Sequence, residues 1–197
     1  KENGDQIINP KVISRLNKFN KIARVSNITL MNEMGFTVSE YVENYKKALK
    51  LASKNNIASF KKVNLLTKPK KYAKEDPQVL TDGALGGNSF FSNWLGFEGN
   101  DMDAVVDLDS ISQINNISLN FLQVTNHIVF YPLEVKFEVS KDSVSWKSFP
   151  SIFNPHKLNA KSKVNDIQTF SLKTINEKAR YVRIKAKNLK KAPIWHH

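Results

Sequence analysis

The segment Leu80–Leu108, LTDGALGGNSFFSNWLGFEGNDMDAVVDL, decides how the rest of this chain is interpreted. It begins with a turn at Asp82-Gly83 and passes through glycines to an aromatic run around Asn93-Trp94. It closes with an aspartate-flanked apolar stretch at 103–108. Asp-Gly and Gly-Gly pairs are typical of turns, and an Ala-Val-Val run is typical of a strand. The segment therefore predicts a turn, an aromatic loop and a strand in that order.

The chain after about residue 59 has the alternation of β-structure. Apolar and polar residues alternate over several short stretches, and turn signals separate them. A period of two means that one face of each strand is buried, and short strands at such spacing indicate an antiparallel sandwich. The apolar positions are Ile117, Leu119 and Phe121, then Val135, Phe137 and Val139, and later Val182, Ile184 and Ala186.

The first 58 residues have a different pattern, which predicts an α-helical segment. Asn9 precedes a proline at the first helical position, and Thr37 can form a capping box with the glutamate three residues later. A short β-prone stretch at 28–31 lies between the two predicted helices. One such unit cannot bury its faces, so we interpret 1–58 as the tail of a truncated α/β catalytic domain and 59–197 as the β domain. The polar start of the chain has no signal-peptide character and looks like an interior cut.

Net charge alone would suggest a polyanion binder, but its distribution argues against nucleic acid. The chain carries +12, made of +11 in residues 1–74, −9 in 75–135 and +10 in 136–197. The aromatic-rich middle is thus acidic, whereas a nucleic-acid groove places basic residues among its aromatics. No apolar run reaches the ~20 residues of a membrane helix. The absence of cysteine excludes disulfides and thiolate metal sites.

Several of these segments together resemble a discoidin domain, the coagulation factor V/VIII type C module. The resemblance implies a mainly β fold, a jelly-roll antiparallel β-sandwich like galactose-binding domains, here with an N-terminal α-helical segment. It is greatest to versions at the C-terminal end of bacterial chitobiase-like and other glycoside-hydrolase-like proteins. The segments that carry it are 80–83, 93–94, 104–108, 121–123, 128–132, 135–140 with Asp142 and Trp146, 179–184 and 193–197. Such domains usually end in a further strand with an acidic calcium ligand, which would follow His197.

The resemblance implies a non-catalytic carbohydrate-binding module of a larger glycoside-hydrolase-like protein. Its partners would be a glycan and the parent catalytic domain, in the bacterial periplasm, at the outer cell surface or secreted. Two alternatives stay open. One is a structural module that packs against the catalytic domain and binds no sugar. The other is a polyanion or membrane-surface binder driven by the flanking lysines.

The candidate ligand-binding residues are aromatics in loop-like segments and their polar neighbours. A pyranose stacks its C–H face on an aromatic ring while amides and imidazoles take its hydroxyls. Tyr131 and Trp195 lie close to prolines, so we expect them to be the more exposed rings, while Trp94 and Phe130 could equally fill the core and Trp146 is expected to be structural. The candidates are Asn93, Trp94, Phe97, Asn126, His127, Phe130, Tyr131, Trp195 and His196.

Acidic residues give one metal expectation and no catalytic one. Asp82 could ligate a structural calcium ion, which prefers several oxygen ligands from one loop, or could simply cap its own turn before Gly83. Glu98, Asp101 and Asp103 are the only acidic cluster near the aromatic run that could suggest a glycosidase pair. Nothing in the sequence places two of them across a cleft, so we expect no catalytic site in this chain.

Overall fold

The computed structural model describes residues 56–69, 76–83, 85–91, 93–155 and 165–194. The chain divides into two compact units, one of residues 1–60 and 81–84 and the other of 61–80 and 85–197. In the first unit the described residues are 56–60 and 81–83, where the Phe60 amide donates a hydrogen bond to the Thr81 carbonyl at 2.5 Å. The predicted helices of the N-terminal segment lie outside the described residues.

The second unit is an antiparallel β structure with a six-stranded and a two-stranded sheet. Its strands are β1 (Lys62–Leu65), β2 (Met102–Ile114), β3 (Ile117–Val124), β4 (Glu134–Ser140), β5 (Lys147–Ser148), β6 (Ile152–Phe153), β7 (Asn165–Leu172) and β8 (Glu177–Lys187). The larger sheet has the order β1-β2-β8-β4-β5, with β6 also paired to β4, and β3 pairs with β7 in the smaller sheet. Within the described ranges no α-helix occurs, and none of these segments is a helix long and apolar enough to span a membrane. The mainly β, discoidin-like fold predicted from the sequence is confirmed.

The core lies where the alternation placed it in the larger sheet. Val135, Phe137 and Val139 of β4 are all buried, and so are Val182, Ile184 and Ala186 of β8. The smaller sheet contributes Leu122, Val124 and Phe170, and the Phe121 ring meets the Phe170 ring edge-on. In β3 the alternation is less regular than the sequence suggests, because Leu119 and Phe121 are half-buried.

Ion pairs across β2 and β8 hold the outer face of the larger sheet. Asp103 accepts two hydrogen bonds from the Arg183 guanidinium at 2.8 and 2.7 Å, and Asp107 accepts two from Arg180 at 2.8 Å. Bidentate pairs fix the geometry of both partners. The Arg180 guanidinium, with the desolvation of Asp107 opposing it, holds the pKa of Asp107 below its ordinary value.

The connections between strands define two ends of this unit. Three short turns, 115–116, 141–146 and 173–176, lie at one end, which we call the hairpin end. The end of β1 at Leu65, the start of β2 at Met102 and the connection 125–133 lie at the other end, the long-loop end. The register supports this division, because Val124 lies opposite Asn165 at the long-loop end and Ile117 opposite Leu172 at the hairpin end.

Candidate functional site

A small cleft at the long-loop end collects aromatic and amide side chains. Its volume is about 180 Å³. We call it the Phe91 cleft; its lining comprises residues 88–91, Val124, Asn126, His127 and Asn165. Among the described residues its lining includes no Asp, Glu, Lys or Arg. The cleft therefore combines apolar surface with uncharged hydrogen-bonding groups.

Two adjacent phenylalanines form its apolar part. Phe91 is 86% exposed, and its ring centroid lies 4.3 Å from that of Phe90. Phe90 is half-buried and lies 5.0 Å from the His127 imidazole, centroid to centroid. Phe90 thus supports both neighbouring rings, which leaves Phe91 free to present its ring to solvent.

The polar groups come from a short 3-10 turn and from the start of β7. The turn Thr125–His127 follows β3 directly, and Ile128 closes it in the left-handed conformation, with φ 60°. An isolated bridge between Val124 and Val129 fixes both sides of this turn. Asn126 and His127 are consequently held at the mouth of the cleft, both exposed to solvent.

The hydrogen bonds within the cleft set which atoms remain available. Asn126 Oδ1 lies 3.0 Å from His127 Nδ1. Because the amide oxygen is an acceptor, this contact favours the proton on Nδ1 and leaves Nε2 able to accept a hydrogen bond from a hydroxyl. The Asn165 side chain donates to the Asn88 carbonyl at 3.3 Å and ties the 88–91 loop to β7.

The aromatic segment around Trp94 packs against the glycines that precede Phe91. Trp94 is half-buried, and its indole nitrogen donates to the Gly87 carbonyl at 2.8 Å. A Cβ atom on Gly86 would lie 2.2 Å from the indole Cε2, so the ring packs directly on the glycine backbone. Trp94 therefore shapes the loop that carries Phe91 and does not itself line the cleft.

The neighbours of Trp94 also lie outside the lining. Asn93 is half-buried and adopts the left-handed conformation, with φ 57°. Phe97 is half-buried, and its carbonyl accepts a hydrogen bond from the Asn188 side chain at 3.0 Å. Like Trp94, both residues are in the loop that leads into β2. Their assignment to a sugar site stays a prediction.

Tyr131 is buried, so the expectation that it would be an exposed ring is wrong. It is 3% exposed, and Pro132 beside it is buried as well. A neighbouring proline indicates an irregular backbone, but it does not determine on which side of that backbone the ring lies. Burial, together with the Asp166 carboxylate nearby, raises the pKa of Tyr131. Phe130, before it, is half-buried.

Three further candidates have no tested role. Trp195 and His196 lie outside the described residues. Asp82 is 1% exposed, and the glycine after it has the left-handed φ of 76° that the predicted turn requires. The described residues contain no group of three His, Cys, Asp or Glu that could hold a metal ion. Calcium at Asp82 stays a prediction.

The acidic residues near the aromatic run have structural partners. Asp103 is bound by Arg183, and Asp101 accepts hydrogen bonds from Lys190 Nζ at 2.7 Å and from the Asn188 amide at 2.8 Å. Desolvation would raise the pKa of Asp101, but these hydrogen bonds hold it below its ordinary value. Both carboxylates anchor the start of β2 to the end of β8.

The family of the chain follows from a model match over most of its length. The model of the F5/8 type C domain matches residues 66–196. The chain belongs to the F5/8 type C domain family. Domains of this family are non-catalytic binding modules.

Solved structures similar to this chain include three bacterial modules. One is chitosan-binding module 1 of a chitosanase/glucanase from Paenibacillus sp. IK-5, with 18% identity and a TM-score of 0.47 over 67% of this chain and 85% of that chain. Another is CpGH89CBM32-5 from Clostridium perfringens in complex with GalNAc-β-1,3-galactose, with 14% identity, coverage of 64% and 84%, and a TM-score of 0.40. A third is CBM32-1 of a family 31 glycoside hydrolase from Clostridium perfringens, with 15% identity, coverage of 66% and 87%, and a TM-score of 0.41. The comparison with curated protein sequences gave no match.

The sequence predicted two residues of the Phe91 cleft, Asn126 and His127, and missed its most exposed ring. The missed residues Phe90 and Phe91 stand between a glycine-asparagine turn and the Trp94 segment, in GGNSFFSNW. A large apolar residue next to glycines, asparagines and serines in a loop is a candidate for ligand binding, and that composition was the available signal. Asn165 could not have been found, because only the pairing of β3 with β7 brings it to the cleft.

Proposed function

We propose that this chain is a carbohydrate-binding module whose sugar site is the Phe91 cleft. The observation that carries the proposal is a phenylalanine ring, 86% exposed, at the edge of a cleft whose polar lining consists of amides, an imidazole and a hydroxyl. Stacking on an aromatic face together with a few convergent hydrogen bonds is how proteins hold the apolar and polar faces of a sugar ring. Membership of the F5/8 type C family supports this proposal.

The size of the cleft limits what it can hold. Ligand pockets for drug-sized molecules occupy roughly 300–1,000 Å³, whereas this cleft has about 180 Å³. It suits one terminal sugar ring. We therefore expect a dissociation constant on the order of 1 mM for a monosaccharide, with avidity on a polymer supplying the rest.

The lining also favours a neutral sugar over an anionic one. A carboxylate or sulfate in this cleft would meet no lysine or arginine among the described lining residues. Binding to a neutral glycan should accordingly change little with salt, whereas a polyanion interaction is screened within ~10 Å at 0.1 M salt. This chemistry favours the sugar-binding hypothesis at this end of the fold over the polyanion alternative.

The proposal extends to the parent protein, its location and the role of the module in it. We place the module in a larger glycoside-hydrolase-like protein, with a chitobiase-like parent as the specific expectation, because segments of the sequence resemble the discoidin-like ends of such proteins. A module that holds polymeric glycan acts where the polymer is, which favours the periplasm, the cell surface or secretion. Its role would be to raise the local concentration of substrate at the parent enzyme.

The test compares two exposed phenylalanines. The full chain is screened on neutral glycans at low and high salt, and hits are titrated by calorimetry with the wild type, Phe91→Ala and Phe153→Ala. Phe153 is 68% exposed on β6 and does not line the cleft, so it is the matched control. We expect salt-insensitive binding that Phe91→Ala weakens at least tenfold, from about 1 mM to beyond the detectable range, and that Phe153→Ala leaves unchanged. Binding that survives Phe91→Ala would contradict the assignment of the site, and silence on all neutral glycans would favour the structural alternative.

A further inference from the structure

A second and larger cleft opens at the hairpin end of the same unit. It has a volume of about 410 Å³. We call it the Trp146 cleft; it is lined by residues 139–142, 145–147 and 177–179. Val139, Ser140 and Ala179 are buried and form its floor. The walls are the turn between β4 and β5 and the first residues of β8.

The turn that forms one wall is held by its own hydrogen bonds. Asp142 Oδ1 accepts hydrogen bonds from the amides of Val144 and Ser145, both at 2.8 Å, and from the Ser140 hydroxyl at 2.9 Å. The Ser140 hydroxyl oxygen in turn accepts from the Ser143 amide at 2.9 Å. The backbone amide hydrogen bonds keep the pKa of Asp142 below its ordinary value. The wall is therefore formed before any ligand arrives, and binding would cost little ordering.

Trp146 supplies a positioned aromatic ring. It is half-buried, and the Arg183 guanidinium carbon lies 5.7 Å from its ring centroid. Arg183 is itself held by two hydrogen bonds to Asp103. The contact between cation and ring thus connects Trp146 to the rigid outer face of the larger sheet, which agrees with its expected structural role but leaves the ring as part of the cleft lining.

The charges of the cleft do not cancel. Lys147 forms an ion pair with Glu177, so these two charges satisfy each other. Asp142 keeps its negative charge, but its Oδ1 is hydrogen-bonded within the turn, and the lining as a whole, with three lysines and two carboxylates, has a net charge of +1. Lys141 and Lys178 are exposed, and no ion pair joins either of them to another residue in the described part of the unit. The cleft therefore offers two ammonium groups beside an aromatic ring.

We propose that the Trp146 cleft is a second binding site, for a saccharide that carries a carboxylate or sulfate group. The sugar ring would pack on Trp146, and its anionic group would lie between the ammonium groups of Lys141 and Lys178. The Phe91 cleft has the opposite character, with no charged residue in its described lining. The inference goes beyond the proposed function, since it adds a site, at another end of the fold, with another ligand chemistry.

The distance between the two clefts determines how one ligand could use both. β4 runs from the long-loop end to the hairpin end over its seven residues, which corresponds to about 20 Å at the usual rise of a strand. One sugar ring cannot occupy both clefts. The module would therefore bridge two chains of a polysaccharide, or two segments of one chain that bears both neutral and anionic sugars.

The test is an NMR titration of the full chain with two anionic probes, trigalacturonate and a chondroitin sulfate tetrasaccharide. The methyl ester of trigalacturonate is the neutral control. We expect at least one anionic probe to shift the Trp146 indole signal and the amides of Ser145 and Ala179, with the ester causing no shift there. The double variant Lys141→Gln/Lys178→Gln should weaken this binding about tenfold, as the sum of two exposed charge contacts. Both lysines are exposed, so the variant keeps its fold.

Two controls make the result decisive. Lys191→Gln removes an exposed lysine beyond the end of β8 and should change nothing. Phe91→Ala should leave the shifts at Trp146 intact while it abolishes neutral-glycan shifts at His127, which separates failure of this site from failure of the other. No shift at Trp146 with either anionic probe overturns the proposal. The proposal is also overturned if the methyl ester binds as well as the anionic probes do, or if Lys191→Gln weakens binding as much as the Lys141→Gln/Lys178→Gln double variant does.

Discussion

Glu138 is the buried carboxylate on which the outer face of the larger sheet depends, and Glu138→Gln is the substitution that tests this. The residue is 5% exposed in the centre of β4. Its carboxylate accepts a hydrogen bond from the Ser148 hydroxyl at 2.7 Å and lies 3.0 Å from Lys185 Nζ and 3.4 Å from Lys136 Nζ. The substitution keeps the shape of the side chain and an acceptor for Ser148 while it removes the charge.

The expected loss of stability follows from those contacts. Breaking a fully buried ion pair costs ~3–5 kcal/mol, but both lysine side chains are 38% exposed and can turn to solvent. Screening reduces the loss, and we expect about 2 kcal/mol for Glu138→Gln at pH 7. For a domain of this size that is a fall in Tm of roughly 6–10 °C.

The pH dependence of the free energy of unfolding is a second test of the role of Glu138. Burial alone would raise the pKa of Glu138, but the hydrogen bonds from Ser148 and Lys185 hold it below its ordinary value of 4.5. A lowered pKa in the folded state contributes stability that is fully present above the unfolded pKa and is lost as the pH falls through the folded pKa. The difference between wild type and Glu138→Gln should therefore be constant above about pH 5.5 and shrink steadily below pH 4.5.

Urea unfolding of wild type and Glu138→Gln would measure the difference in their free energies of unfolding. The titrations would cover the range from pH 3 to pH 8 at intervals of about one pH unit. Glu134→Gln is the matched control, because its partner Lys187 lies 3.6 Å away and is more than half exposed. We expect the control to cost less than ~0.5 kcal/mol. A Glu138→Gln protein as stable as the wild type at pH 7, or a difference that persists unchanged at pH 3, would refute the reasoning.

Three further predictions concern the loops. Gly86→Ala should destabilise the fold by about 1–3 kcal/mol, measured by thermal unfolding, because the new Cβ would collide with the Trp94 ring. The displaced ring should also shift the tryptophan fluorescence to the red. Unchanged fluorescence would argue against this packing. Phe91→Ala should leave urea unfolding within ~0.5 kcal/mol of wild type while it abolishes neutral-glycan binding, and a larger loss would mean that the exposed ring serves the fold. Calcium chelation should lower the Tm of the wild type but not that of Asp82→Asn. A wild-type Tm that chelation leaves unchanged would contradict a structural calcium ion at Asp82.

The alternation of apolar residues predicted the large sheet well because burial there repeats with the pleat. β4 and β8 pair along seven positions, from Glu134 opposite Lys187 to Ser140 opposite Tyr181. One face of both strands therefore meets the core at every second residue. Period two carries this information whatever the neighbouring strand is, so no knowledge of the pairing is needed.

The loops could not be predicted in the same way, because no period relates a loop residue to its environment. Tyr131 and Phe91 illustrate this from opposite sides. Tyr131, beside a proline, is buried, whereas Phe91, which directly follows another phenylalanine, is almost fully exposed. Trp94 is fixed by a contact to a glycine backbone eight residues earlier, and such a contact depends on the folded path of the loop rather than on either residue type.

The pairing of β2 with β8 brings acidic and basic segments of the sequence together. The acidic middle segment contains Asp103 and Asp107 on β2, and the basic final segment contains Arg180 and Arg183 on β8, which pairs with β2. Part of the charge difference between these segments is therefore neutralised by ion pairs within the sheet, and the net charge of +10 in residues 136–197 overstates the unpaired positive charge of that segment. What remains unpaired then matters more than the total. Lys141 and Lys178 are two such residues, and because both border a cleft with a tryptophan, they are where a test of anionic ligands should begin.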